Sequence, residues 1–276
     1  MMFPAVTDWD DAYTNGAHIA GGDSYPPRWA EAAEGFRRTM AASGRARLDL
    51  AYGPKPRNKL DLFLPEAAPR GLFVFVHGGY WMRFDKSSWS HLAKGAVERG
   101  FAVAMPAYTL CPEIRIGGIV REIGDAIGFA AREIAGPIHL AGHSAGGHLV
   151  SRMLAVPSPP GEEVSWRIAH VVSISGVHDL RPIMKTQMNA TLKIDATEAK
   201  AESPCLLEPR PDAKLTCWVG AGERAEFIRQ NALLANVWRG LGAQTATVVE
   251  DNRHHFNVID GLAEAGSPLT RALFAT

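Results

Sequence analysis

A mostly parallel α/β sheet with helices on both faces is the fold that three features of this 276-residue chain predict. Continuous apolar runs of strand length alternate with helical stretches, the rhythm of βα units. One such run leads directly into a glycine-flanked serine, in HLAGHSAGGHLV (139–150). The last is followed at once by a histidine pair, His254 and His255.

The elements follow in order. RLDLAYG and KLDLFLP alternate polar with apolar residues and read as half-buried antiparallel strands. LFVFVHGG and FAVAMPAY are unbroken apolar runs, as expected of strands covered on both faces. Between them SSWSHLAKGAVERG predicts a helix ending at Gly100. Val120, Ile123, Ile127, Ala131 and Ile134 recur at threes and fours, opposite Arg121, Glu122, Asp125 and Arg132, which predicts an amphipathic helix. PIHLAG is the strand into Ser144 and GGHLVSRMLAV the helix after it. IAHVVSISG and KLTCWVG predict two further buried strands, and TATVVED a last one. Helices are expected from near Glu223 to Leu241 and from Pro268 to Ala275. VPSPPGEE reads as a loop, not a linker. Residues 177–213 break the rhythm and read as a short inserted segment of small helices over the sheet edge. Trp29, Ala33, Phe36 and Met40 make an apolar stripe on an N-terminal helix, expected in the core. With no repeat or low-complexity tract, one domain is expected over 1–276, residues 1–46 being an N-terminal extension packed on it.

Composition narrows the function classes. Hydrophobic residues are 46% and charged residues 21%, the balance of an ordinary globular chain. Lys+Arg and Asp+Glu number 29 each, so there is no electrostatic case for nucleic acid or an anionic membrane. The longest apolar runs, such as LFVFV, are too short to span a bilayer. Three widely spaced cysteines (Cys111, Cys205, Cys217) suit a reducing compartment. MMFPAVTDWDDAYTNG lacks the basic start and apolar stretch of a signal peptide, so a cytoplasmic location is expected. Ten histidines include no H-E-x-x-H and no Cys/His pair at zinc spacing, so neither a metal nor another cofactor is expected. Gly21-Gly22 and Gly117-Gly118 match no nucleotide fingerprint.

The chemistry concentrates around Ser144. Gly142, Ser144 and Gly146 form G-x-S-x-G, the pattern of a sharp strand-to-helix turn presenting a nucleophile. His77-Gly78-Gly79 ends a strand with backbone N–H groups free for an oxyanion, and the Ala145 N–H is the expected second donor. A serine needs a base, itself oriented by an acid, in the chain order Ser, Asp/Glu, His. His254 and His255 lie where a catalytic loop belongs. Glu223, on a glycine-flanked turn beyond a buried strand, is the expected acid. Asp179 competes but is read as a cap of the inserted segment. Glu226 is read as a solvated helix residue. His143 and His148 are read as packing and hydrogen-bonding residues.

These residues together resemble the kynurenine formamidases (arylformamidases) among the lipase/esterase-like α/β-hydrolases. The likeness runs from about Tyr52 to Leu262 and is carried by HGGYW, GHSAGGHL, SGVHDLRPI, VGAGERAEFIRQ and HHFNVIDGL. HGGYW and the E-F-x-R-Q stretch are more specific than G-x-S-x-G. The stretch before Arg47 matches less clearly. The resemblance implies an α/β-hydrolase fold with Ser144 as nucleophile and His255, directly before Phe256, as base. The acid position falls on Glu223, where many members carry Asp. It implies a cofactor-independent hydrolysis of an N-formylated aromatic amine such as N-formylkynurenine, with Tyr80 and Trp81 flanking the leaving group. A carboxylesterase for short acyl esters is the alternative, and a non-catalytic ligand-binding protein on the same fold a further one. The expected partner is a small acyl amide or ester, with no nucleic acid and no membrane; a homodimer is compatible with the sequence.

Overall fold

In the computed structural model, which describes residues 5–275, eight strands form a single sheet. The first four residues, where the N-terminal stretch read above begins, and residue 276 lie outside the described residues. The strands are β1 (Ala46–Ala51), β2 (Lys59–Phe63), β3 (Leu72–Val76), β4 (Ala102–Pro106), β5 (Ile138–His143), β6 (Ile168–Ile174), β7 (Lys214–Gly220) and β8 (Gln244–Glu250). Their order is β1-β2-β4-β3-β5-β6-β7-β8. β2 pairs antiparallel with both β1 and β4, and every pairing from β4 to β8 is parallel. This is the α/β-hydrolase arrangement.

The interior parallel strands β3 to β7 are buried almost throughout because both faces are covered, whereas the edge strand β8 is largely exposed. Leu72, Val74 and Val76 of β3 enter one core, while Phe73 and Phe75 enter the other. The helices are α1 (Trp9–Tyr13), α2 (Tyr25–Ala42), α3 (Lys94–Glu98), α4 (Ile116–Glu133), α5 (Ala145–Arg152), α6 (Glu162–Trp166), α7 (Asn189–Leu192), α8 (Ala196–Glu202), α9 (Ala225–Gly240) and α10 (Pro268–Leu273). Ile119, Ile123 and Ile127 of α4, Leu149 of α5 and Leu234 of α9 fill the first core. Trp29 and Met40 of α2 and Leu269 and Leu273 of α10 fill the second. No helix among the described residues is long and apolar enough to cross a membrane.

Four local expectations differ from the structure. The stretch expected as one helix before Gly100 is two 3₁₀ turns, Lys86–Ser88 and Ser90–Ala93, followed by α3 alone. Asp85 caps the first turn at the Ser87 N–H, and Arg37 of α2 donates to the Ser87 carbonyl and to Ser90 Oγ, so tertiary contacts break the helix. Glu122, expected on the solvent face of α4, is buried and accepts from the Thr109 N–H (2.7 Å) and Lys55 Nζ (2.9 Å). β2 is buried beyond Lys59 despite its alternation, because Asp61 pairs with buried Lys86 at 2.7 Å. Finally, the inserted segment does not cover a sheet edge, since β6 and β7 on either side of it are interior strands. It packs on helices instead: Glu198 meets Arg115 before α4, Glu202 pairs with Arg152 of α5 at 2.8 Å, and Trp238 Nε1 of α9 donates to the Pro204 carbonyl.

Candidate active site

Ser144 stands between β5 and α5 at φ 56°, ψ −116°, a conformation rarely adopted by a residue with a Cβ. Such a residue costs about 1–3 kcal/mol and persists only where its surroundings over-determine it. They do so here. The Ser144 N–H donates to the Ile174 carbonyl of β6 at 2.8 Å, and its own carbonyl accepts from the His148 N–H. A Cβ on Gly142 would lie 2.1 Å from the Gly146 carbonyl oxygen, and one on Gly146 would lie 2.0 Å from that of Val76 in β3. The two glycines therefore let the turn close against the neighbouring strand. The Ser144 hydroxyl makes no hydrogen bond with any described residue, and it lines a cavity of 390 Å³ together with His255.

The loop after β3 abuts this turn. A Cβ on Gly78 would lie 2.6 Å from the His143 carbonyl oxygen and 3.0 Å from Ser144 Cβ. Behind it His77 stacks on Tyr108 at 4.4 Å and its Nδ1 donates to the Gly78 carbonyl at 2.8 Å. Burial pushes the His77 pKa down to about 4, so its ring is a neutral prop at physiological pH. The N–H groups of Gly78, Gly79 and Ala145 donate to no described residue. Those of Gly78 and Ala145 come from the two segments that meet at the serine.

Glu223 and His255 are brought together from opposite ends of the last βαβ unit. His255 Nδ1 donates to Glu223 Oε2 at 2.6 Å, and the Glu223 side chain is fully buried. Glu223 Oε1 also accepts from Ser175 Oγ at 2.5 Å and from the Gly220 N–H at 2.9 Å. His143 Nε2 donates to the His255 carbonyl at 2.9 Å, with the two rings 4.6 Å apart. Burial, and then the neighbouring His255, hold the His143 pKa well below the usual histidine range, which keeps it a neutral donor. His254 turns away to the Tyr25 hydroxyl at 3.1 Å.

The competing acids have other partners. Asp179 is clasped by the Arg181 guanidinium with both contacts at 2.8 Å, and accepts from the Arg181 N–H as a local cap. Glu226 is not solvated as expected but 4% exposed, because the Tyr13 hydroxyl, Gln230 and Arg229 surround it.

The cavity wall corrects one expected residue. Trp81 is 0% exposed and does not line the cavity; it packs edge-on against His148 in the first core. Within this tight turn Tyr80 (φ 51°) takes the cavity side and Trp81 (φ 57°) the core side. The apolar wall comes instead from Trp29, Phe84, Trp89 and Phe256. Trp29 lies 4.7 Å from Trp89 and 5.4 Å from Phe256. Phe256 was not expected in the wall, and its place directly after His255 is the signal that could have found it. Trp29 looked like core, and indeed one flank of it is. Residues between Asp10 and Trp29 supply much of the remaining wall, which no local pattern announced. Among the described residues no cluster of His, Cys, Asp or Glu could hold a metal ion.

Comparison with known proteins agrees with this geometry in kind. The profile of the family described as BD-FAE matches residues 60–213. The kynurenine formamidase of Danio rerio is 27% identical over 236 residues, 82% of this chain and 80% of that protein. That of Drosophila melanogaster is 27% identical over 298 residues, 99% and 98% of the two chains. A crystal structure from Silicibacter sp. TM1040, described as a candidate thioesterase, is 54% identical with a TM-score of 0.93, covering 97% of this chain and 99% of that one.

Proposed function

Because the chain belongs to the BD-FAE family, and kynurenine formamidases are among its relatives, we propose an arylformamidase-like serine hydrolase, with N-formylated aromatic amines such as N-formylkynurenine as substrates. The observation that carries it is the 2.6 Å pair of His255 with a buried Glu223, on the same small cavity as the strained Ser144. An aromatic wall of Trp29, Phe84, Trp89 and Phe256 suits an aryl leaving group, and 390 Å³ suits a small substrate.

In this reading Ser144 Oγ attacks the acyl carbonyl as His255 Nε2 takes its proton, and Glu223 stabilises the imidazolium through Nδ1. The N–H groups of Gly78, Gly79 and Ala145 hold the oxyanion. His255 then returns the proton to the leaving nitrogen, the C–N bond breaks, and a formyl ester remains on Ser144. Water, deprotonated by His255, attacks that ester; Ser144 leaves with the proton and formate is released. No cofactor enters any step. The three cysteines are buried and free, which supports a reducing, cytoplasmic setting.

A short acyl ester or thioester is the second reading, favoured by the 54% identical relative described as a candidate thioesterase. The same residues would serve, with an alcohol or thiol leaving. Initial rates of purified protein on N-formylkynurenine, p-nitrophenyl acetate and a short acyl thioester separate the two. The formamide is expected to show the highest kcat/KM, and a higher value for either ester class would replace it.

A further inference from the structure

Asn15 is 7% exposed, sits outside every motif considered above, and lines the cavity that holds Ser144 and His255. Its amide carries two donor hydrogens and one acceptor oxygen. The Tyr80 hydroxyl donates its single proton to the Tyr13 carbonyl, so towards Asn15 that oxygen can only accept. Burial, with Glu223 nearby, raises the Tyr80 pKa far above its ordinary value, so the proton stays in place. Asn15 must then present its NH₂ group to Tyr80, as observed at 3.3 Å, and its Oδ1 is turned the other way. No described residue donates to that oxygen, and it is not among the atoms sealed off in the interior. An unpartnered, accessible acceptor on a residue that lines a cavity is a place for a ligand donor.

We infer that Asn15 Oδ1 accepts the N–H of the scissile amide and thereby sets a preference for amide over ester. The inference rests on the serine-hydrolase reading of Ser144. Tyr80, which orients Asn15, directly follows Gly79 of the loop that would hold the oxyanion, and the scissile nitrogen is bonded to the carbon bearing that oxygen. An amide nitrogen in a formanilide carries a hydrogen for Oδ1. The corresponding ester oxygen carries none, and its lone pairs would face those of Oδ1. A site built to receive a hydrogen bond rejects the analogue that lacks the donor.

The test compares kcat/KM for two matched pairs, formanilide with phenyl formate and acetanilide with phenyl acetate. Wild type and Asn15→Leu are assayed, with melting temperatures measured beside them. The amide-to-ester ratio is expected to fall by about tenfold or more in Asn15→Leu, whatever the absolute rates. Equal losses on amide and ester in a folded Asn15→Leu would overturn the inference. If that variant does not fold, wild type alone decides. N-methylformanilide, which has no N–H, should be cleaved about tenfold less well than formanilide, and equal cleavage overturns the inference. A wild type that cleaves esters but no anilide removes the amide reading itself, and this is visible before any variant is made.

Discussion

Glu223 and Glu226 lie three residues apart and both carboxylates are buried, but their partners differ. Glu226 is held by the Arg229 guanidinium through two contacts of 2.7 Å, with Tyr13 and Gln230 completing its shell. Its charge is already answered by a permanent cation. Among the described residues Glu223 has only a hydroxyl, a backbone N–H and the His255 ring as partners. In the proposed mechanism its charge is left for the positive charge that develops on His255. A buried acid neutralised by arginine has no charge left to offer, whereas one whose main partner is an imidazole can orient that ring and stabilise its protonated form.

The comparison breaks most directly at the two acids themselves. Glu223→Ala should fold with a melting temperature near that of wild type and lose roughly 10⁴ in kcat, approaching the residual rate of Ser144→Ala. Asp179→Ala, assayed in parallel, should stay active. An active Glu223→Ala beside a folded but dead Asp179→Ala would transfer the acid's role.

The histidines divide along a similar line, which makes a pH test. Burial pushes His77 and His178 down to about 4 and His148 to about 3. Their folded pKa values lie below the unfolded value near 6.5, so below that pH the unfolded chain binds protons that the folded chain refuses. Stability should therefore fall as pH drops from 6.5 towards 4, and these groups contribute no slope above that window. Urea unfolding between pH 7 and 5 should show a loss steeper than about 1.4 kcal/mol per pH unit, the value for one proton. A flat profile there would mean that these rings are hydrated in solution.

Glu226→Ala should show the converse of Glu223→Ala. It strips Arg229, Tyr13 and Gln230 of a shared acceptor and should cost about 1–3 kcal/mol, discounted because Arg229 is half exposed. The melting temperature falls by several degrees, and the folded fraction keeps its kcat unless α1 detaches from the cavity. Ser175→Ala should have the smallest effect, about tenfold in kcat at unchanged KM, since it removes one of three donors to Glu223. A change in KM instead would place Ser175 with the substrate and not behind the acid.

The E-F-x-R-Q stretch carried much of the family likeness. Its Glu226, Arg229 and Gln230 nonetheless touch neither Ser144 nor His255 through any hydrogen bond in the structure. They anchor Tyr13 and the chain around Asp179, and so hold the N-terminal segment over the cavity. A motif can thus mark a family by its framework as strongly as by its chemistry.

The sequence by itself determined what depends on neighbours along the chain. Strand length, the two-residue alternation that sends Leu72 and Phe73 to different cores, and the close approach of Gly142 to Gly146 within the turn at Ser144 are local demands on backbone and side-chain direction. The α/β order and the strand–turn–helix at Ser144 were legible for that reason. Tertiary structure alone decided the rest. Trp81 faces the core while Trp89 faces the cavity, Glu122 and Asp61 are buried on lysines, and residues 10–29 wall a site more than a hundred positions downstream. Each outcome turns on which distant group supplies a hydrogen bond, a counter-charge or an apolar surface. No periodicity in one segment encodes a partner that arrives from another.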